Sequence, residues 1–165
     1  PHEFFEKMKS GKVQEYDVLL YKDGGKPGEF KPRIAMFGEG FPFKEYGINE
    51  HVFRLRSKKI GQFYLYYQLG SDRVFHDLAV RGGKAAIPGI NQKEVKGQLF
   101  LVPSKELLEV FNKQVFSFVE LMLKNSSSSL TLAKLRDILL PKLISGELRL
   151  PSDAEQQSAA ANSSS

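Results

Sequence analysis

Cysteine and tryptophan are absent from the 165-residue chain, and histidine occurs only three times. Without cysteine the chain can form no disulfide and no thiolate metal site. His2, His51 and His76 show no spacing to one another or to carboxylates of the kind that metal ligands have. The sequence therefore predicts neither a metal ion nor any other cofactor.

Long apolar segments are lacking as well. No run approaches the roughly 18 apolar residues that a membrane-crossing helix needs, and the first residues have no signal-peptide pattern. We therefore expect a cytoplasmic protein with no membrane partner. The chain does not begin with Met, which favours a piece of a larger protein.

Recognisable catalytic motifs are also missing. There is no phosphate-binding loop of the form Gly-x-x-x-x-Gly-Lys-Ser/Thr, and the Gly-Gly-Lys triplets at 24–26 and 82–84 are better explained as turns. Neither the Asn/Asp-Pro-Pro-Tyr/Phe motif of amino-methyltransferases nor a convincing acidic nuclease cluster is present. These absences predict a chain that is not an enzyme, and they rank a stand-alone hydrolase last.

The net charge of +5 is unevenly distributed. Residues 1–103 hold 17 Lys and Arg against 12 Asp and Glu, whereas residues 104–165 hold 7 of each kind. All of the excess positive charge therefore lies in the first part of the chain. A basic module joined to a neutral, leucine-rich segment indicates one surface for a polyanion and another for a protein.

Residues 13–103 combine short, β-prone apolar runs with glycine- and proline-rich turns. Strands are predicted at 16–21, 34–37, 51–56 and 99–102. The aromatic-rich stretch 61–69 fits either a helix or a strand. The predicted fold class is α+β, with a β-rich globular domain over 1–103 and a long, coiled-coil-like helical arm after it.

The arm begins after Ser104, a helix-capping residue, and its apolar residues recur at spacings of 3 and 4 in a heptad pattern. The polar stretch 125–129 predicts a break, a kink or a link between two helices. Pro141 should bend or end the second helix, and Gly146 suits a left-handed residue after it. The arm spans 104–150, and residues 151–165 are predicted to be a disordered tail. The predicted partner interface on the arm consists of Leu108, Phe111, Val115, Phe118, Leu132, Leu135, Leu139 and Leu143.

Cationic and amide side chains cluster in three segments of the first domain. Lysine and arginine neutralise DNA phosphates, arginine can fork onto guanine, and asparagine or glutamine can fork onto adenine. For any single residue, a solvated loop charge is the alternative explanation. The candidates for DNA binding are Lys22, Lys26, Lys31 and Arg33, then Arg54, Arg56 and Lys58 (beside Lys59 in the same cluster), and finally Arg81, Lys84, Asn91 and Gln92.

Residues 135–148, Leu-Arg-Asp-Ile-Leu-Leu-Pro-Lys-Leu-Ile-Ser-Gly-Glu-Leu, closely resemble a known helical region. It is the conserved region that closes each half of the specificity (S) subunit of type I restriction–modification systems. Other segments are similar to parts of a target-recognition domain of that family. They are 15–24 near its start, 48–55 in its central strand region, 86–91 at its last turn, and 101–103 where the chain enters the helix.

This resemblance implies that residues 1–103 form a target-recognition domain, which reads one half of a split double-stranded DNA site. It also implies that the arm acts as spacer and docking element. In this family two such helical regions pack antiparallel and bind modification (methyltransferase) subunits, and through them restriction subunits. The leucine stripe of the arm therefore has two alternative partners, another helical region or a modification subunit.

Only one recognition domain is present, so the chain is either the C-terminal half of a full subunit or a natural half-subunit. A half-subunit could form a homodimer through its arm and would then read a split palindrome. Two other functions stay open. An adaptor that only dimerises through its arm predicts no salt-sensitive DNA binding, and the recognition segment of a fused restriction enzyme would require catalytic motifs upstream of Pro1.

Overall fold

The computed structural model describes residues 2–84 and 86–149, and the chain divides into two compact units, Pro1–Lys124 and Asn125–Ser165. A small antiparallel sheet precedes a long C-terminal helix, so the predicted α+β class with a helical arm is confirmed. No helix within the described residues is both long and apolar enough to cross a membrane. The elements are α1 (His2–Lys7), β1 (Val18–Tyr21), β2 (Arg33–Met36), β3 (Val52–Leu55), α2 (Gln62–Leu69), α3 (Asp72–Gly82), α4 (Gln92–Lys96) and α5 (Lys105–Ile144).

Strand β1 lies at the centre of the sheet, whose order is β2-β1-β3 with both pairs antiparallel. Its first three residues are buried, as expected of an apolar run with a neighbouring strand on each side. Leu20 lies opposite Ile34 of β2 and Phe53 of β3, which fixes the register. The strands predicted near 16–21, 34–37 and 51–56 are confirmed.

Helices α2 and α3 supply much of the core behind the sheet. Residues 61–69 adopt the helical alternative, and α2 packs against β1 and β2 with Leu65 and Leu69 buried. On α3, Val74 and Leu78 are fully buried, one helical turn apart on the same face. The short helix α4 buries Val95. Neither α3 nor α4 is anticipated from the sequence, where turn-like glycines obscure the helical spacing.

The prediction of a strand at 99–102 is wrong, because these residues have no regular secondary structure. Two of their carbonyl groups accept hydrogen bonds from side chains. The Tyr64 hydroxyl donates to the Leu101 carbonyl at 2.7 Å, and the Arg73 guanidinium donates to that of Leu99. Pro103, which has no amide hydrogen, then leads into α5.

The first five turns of α5 belong to the first unit. Leu108 and Val119 are buried in the same core as β1 and α2. Asn112 Nδ2 donates to the carbonyl oxygens of Ile60 and Leu108, which joins the helix to the segment before α2. The compact unit thus reaches Lys124, and the domain boundary at residue 103 stays a prediction.

In the second unit, the described residues 125–149 are mostly the remainder of α5. Residues 125–129 are helical throughout, so the prediction of two separate helices is wrong. Ser and Asn each cost only about 0.5 kcal/mol relative to alanine in a helix, too little for a short run to end one. The helix ends three residues after Pro141, and Gly146 has the expected left-handed conformation, with a φ of 73°. The tail predicted at 151–165 lies outside the described residues.

Candidate nucleic-acid interface

The glycine-rich segment 22–32 connects β1 to β2 and, with Arg33 at the start of β2, lines a concavity of about 360 Å³, which we name the loop concavity. Three of the four candidates from the first predicted segment line it, namely Lys26, Lys31 and Arg33. Gly25 is needed for its shape, since the residue has a φ of 121° and a Cβ there would lie 2.0 Å from the Glu29 carbonyl oxygen. The fold therefore gathers these cations around one depression.

Carboxylates compensate much of the positive charge of the loop concavity. Lys31 Nζ lies 2.7 Å from a Glu29 carboxylate oxygen, and Asp23 is also part of the lining. Lys22, just outside it, lies 4.0 Å from Asp23 and over the ring of Phe53. The lining thus contains three cations and two carboxylates, which leaves a small net positive charge.

The third candidate segment lies directly against this loop. The amide of Ile90 donates to the Lys22 carbonyl at 2.8 Å, and the amide of Gly24 donates to the Pro88 carbonyl at 3.0 Å. Lys84 is exposed beyond the end of α3. The first and third predicted segments, which are distant in the sequence, therefore form one continuous surface.

Two candidates of the third segment already have intramolecular partners. Arg81 Nε lies 2.6 Å from Asp77, and this guanidinium, together with the Gln98 amide, lowers the pKa of the Asp77 carboxyl. Asn91 is the N-cap of α4, where its Oδ1 accepts from the Glu94 amide at 3.1 Å. In return, the Glu94 carboxylate accepts from the Asn91 backbone amide, which completes a capping box. Asn91 therefore has a structural role whatever else it binds.

Arg54 and Arg56 line a second depression of about 550 Å³ between β3 and α4, which we name the β3–α4 concavity. The Arg56 guanidinium forms a bidentate ion pair with the Asp17 carboxylate, with Nη2 2.6 Å from Oδ2. Asp17 is only 3% exposed. Hydrogen bonding to Asp17 raises the pKa of the Arg56 guanidinium further. Arg54 donates through Nη1 to the Lys12 carbonyl, a neutral acceptor. Both arginines therefore stabilise the fold, whatever their role toward DNA.

The β3–α4 concavity brings together residues that the sequence separates. Gln92, a candidate from the third segment, lines it beside Arg54 and Arg56 of the second. Lys59 and Lys96 also line it, although neither is among the predicted contact residues. Lys96 follows Gln92 by four residues on α4, so recognition of that helix would have placed the two side chains on one face. Lys58 is exposed, but it does not line this concavity.

A cluster involving a histidine lies away from both concavities. His2 Nδ1 lies 2.6 Å from Glu45, which raises the pKa of this imidazole, and the ligand atoms of His2, Glu6 and Glu45 come within 4.8 Å of one another. All three residues are exposed. An ion pair at the surface accounts for this arrangement, and we assign no metal ion to it.

The predicted partner interface divides between core and surface. Leu108 is buried, and Phe111 and Val115 pack against the core of the first unit. Phe118 remains 65% exposed, on a side of the helix that also presents Leu121. In the second unit the predicted residues are all exposed, namely Leu132, Leu135, Leu139 and Leu143. The docking role of the whole set stays a prediction, and its exposed members are the ones available to a partner.

Comparison with known proteins gives two curated relatives, and no family model matches the chain. The chain is 39% identical over 72 residues to the type I restriction enzyme HindI specificity subunit of Haemophilus influenzae, covering 44% of this chain and 15% of that protein. It is 23% identical over 136 residues to the type I restriction enzyme MjaIX specificity subunit of Methanocaldococcus jannaschii, covering 82% of this chain and 30% of that protein. The matched segments thus span less than a third of either relative, and the resemblance to specificity subunits is confirmed.

Proposed function

We propose that this chain is a DNA-specificity module of a type I restriction–modification enzyme. The observation that carries this proposal is the match to a specificity subunit over 82% of the chain, a share too large for either unit alone to supply. All of the excess positive charge lies in the part of the chain that holds both concavities. In this function the module selects a DNA sequence and performs no bond-breaking step itself.

The first unit would contact DNA in two ways. Exposed lysines such as Lys26 and Lys84 would neutralise phosphates and set the register of the protein on the duplex, without reading bases. Arginine or amide side chains would read base edges in the major groove. Arg33 and Gln92 suit this second role, since both are exposed and neither makes an ion pair or a side-chain hydrogen bond within the described residues.

The arm would dock a modification subunit or a second helical region, and through the modification subunit the restriction subunit. This docking role is supported by the exposed leucine stripe at 132, 135, 139 and 143, with spacings of 3, 4 and 4. Such spacing places the side chains on one helical face. A helix with an unburied apolar face is stable mainly when another element covers that face.

If the chain acts alone as a half-subunit, two copies pairing through their arms would present two recognition domains. The DNA target would then be a split palindrome, because the symmetry of the protein is repeated in the site. If it acts as part of a longer subunit, a different recognition domain would read the other half-site.

The test of this proposal is selection from a pool of random duplexes, with the chain bound to modification subunits from the same operon. We expect enrichment of a short half-site, or of a split palindrome when the chain dimerises. A stable protein complex without any enrichment would instead favour the adaptor that assembles through its arm and does not bind DNA.

The arm is tested separately by Leu135→Asp with Leu139→Asp, which places two charges in the stripe. We expect loss of assembly, measured by light scattering, while the first unit stays folded. Leu130→Asp with Ile144→Asp is the matched control, because both residues are exposed apolar side chains and neither lies three or four residues from a member of the stripe. Assembly that survives the first pair, or is lost equally with the second, would show that the stripe is not the docking face.

A further inference from the structure

The two concavities differ most in the charge of the residues that line them. The loop concavity has three cations and two carboxylates in its lining. The β3–α4 concavity has four cations, Arg54, Arg56, Lys59 and Lys96, and no carboxylate among the described residues that line it. A third depression, beside α1, has Glu45 and Glu50 in its lining and no lysine or arginine. An anion is therefore attracted most strongly to the β3–α4 concavity.

We propose that the β3–α4 concavity holds a phosphodiester segment of the DNA, with Lys59 and Lys96 as its phosphate contacts. This inference rests on the proposed function and identifies the part of the surface on which the DNA backbone lies. Neither lysine is needed to explain the fold, which sets both apart from the two arginines in the same depression.

Intramolecular bonds decide which cations remain available. The charge of Arg56 is compensated by Asp17, and Arg54 is held by the Lys12 carbonyl. Lys59 and Lys96 are exposed and make no ion pair or side-chain hydrogen bond with the described residues. Lysine is a flexible point charge, which suits contact with a phosphate whose exact position varies with sequence.

The floor of this depression strengthens the attraction. Its lining includes Leu55 and the buried side chains of Leu65, Leu69 and Val95. Apolar walls have a low dielectric constant, so the field of the lysines is focused into the depression rather than screened by water. The same walls can pack against deoxyribose. Gln92, an exposed residue of the same lining, would then lie near the base edges adjoining the bound phosphates.

The test is the salt dependence of binding to a duplex of random sequence, measured by fluorescence anisotropy with the full chain. Each phosphate contact contributes a slope of about −0.9 to the logarithm of affinity against the logarithm of salt. Lys59→Gln with Lys96→Gln should therefore make the slope less steep by about two. Lys59→Arg with Lys96→Arg should retain it, because the positive charge is kept.

The matched control is Lys7→Gln with Lys44→Gln. These lysines are exposed, lie outside the β3–α4 concavity, and their replacement changes the net charge by the same amount. An unchanged slope in the Lys59 and Lys96 variant, or an equal loss in the control, would overturn the assignment. If that variant keeps its DNA slope but loses binding to modification subunits, the depression is a protein-docking site and the inference is likewise overturned.

The two proposals fail in different ways. The salt dependence of binding to random-sequence DNA tests only where the DNA backbone lies on the protein. The selection from a pool of duplexes tests whether a particular sequence is recognised. Salt-sensitive binding that depends on Lys59 and Lys96 without enrichment of any site would keep this inference and refute sequence specificity. Absence of DNA binding by the unmodified chain, alone and in complex with modification subunits, would refute both.

Discussion

Replacement of Arg56 by alanine should destabilise the first unit, although the sequence alone predicts a DNA contact at this residue. Asp17 is 3% exposed, and its carboxylate accepts two bonds from the guanidinium and a third from the Gln14 amide at 2.8 Å. Without the arginine, a largely buried carboxylate keeps only one protein donor, the Gln14 backbone amide. The cost of an unpaired buried charge is the physical origin of the expected effect.

The magnitude follows from the burial of the two partners. Removing one member of a fully buried ion pair costs about 3–5 kcal/mol, and an exposed pair contributes about 0–1 kcal/mol. Here the carboxylate is buried, but the Arg56 side chain is 39% exposed, so water can partly replace it. We therefore expect a loss of about 2 kcal/mol, which corresponds to a fall of about 1 M in the urea midpoint for a slope of about 2 kcal/mol per molar.

Urea unfolding followed by tyrosine fluorescence is the appropriate assay. All six tyrosines lie between Tyr16 and Tyr67, within the first unit, and the chain has no tryptophan. The signal therefore reports on the first unit and not on the rest of α5. Arg81→Ala is the matched control, because Arg81 Nε also lies 2.6 Å from a carboxylate, but on an exposed helix surface. We expect no measurable change in its midpoint.

A double-mutant cycle distinguishes the ion pair from simple loss of packing. Asp17→Asn removes the negative charge, so adding it to Arg56→Ala should recover part of the lost stability. Equal midpoints for Arg56→Ala and Arg81→Ala would refute the reasoning. A double variant less stable than Arg56→Ala would show that the carboxylate is stabilised by other donors.

The remaining predictions concern three separate residues. Asn91→Ser should keep the cap on α4, because its hydroxyl can accept from the Glu94 amide, whereas Asn91→Ala should cost about 1 kcal/mol in urea unfolding. Burial and the hydrogen bond to Glu120 raise the pKa of the Tyr16 phenol in the folded protein. The neutral phenol therefore stabilises the fold fully at pH values below the ordinary tyrosine pKa of about 10, and this stabilisation is lost as the pH rises above that value. Tyr16→Phe should therefore be less stable at neutral pH and show a shallower alkaline loss in the same assay. Arg33→Lys should keep the salt slope on random DNA yet reduce discrimination in the pool selection by about 1–3 kcal/mol at one base pair.

Much of the fold can be predicted from the sequence where local signals and tertiary packing agree. Val18, Leu19 and Leu20 form a short apolar run, and they become the buried central strand. The exit from α5 at Gly146 follows equally from local chemistry, since glycine alone adopts a left-handed conformation without strain. Residues 99–102 have the same apolar character, but no strand of the described residues pairs with them, and the Leu101 carbonyl accepts instead from the Tyr64 hydroxyl.

The heptad pattern of the arm shows a different limit. Spacings of 3 and 4 predict a face that is buried, but they do not identify what buries it. At Leu108 and Val115 the covering element is the core of the same unit, whereas Leu135 and Leu139 remain 47% and 39% exposed. The same sequence pattern therefore precedes both a buried and an exposed stretch of the helix, and only the fold distinguishes them.

The candidate site shows why a count of positive residues overstates a DNA surface. A cation is available to a phosphate only if no carboxylate or carbonyl of its own chain already holds it, and those partners come from distant segments. Of the five arginines in the first unit, four are held in the described structure by Asp17, Asp77 or backbone carbonyls of Lys12 and Leu99. Arg33 is the arginine of this unit left without such a partner in the described ranges, and lysines supply the other available charge. Phosphate binding and base reading would then be divided between residue types, with lysines fixing the position of the DNA and Arg33 and Gln92 reading its sequence.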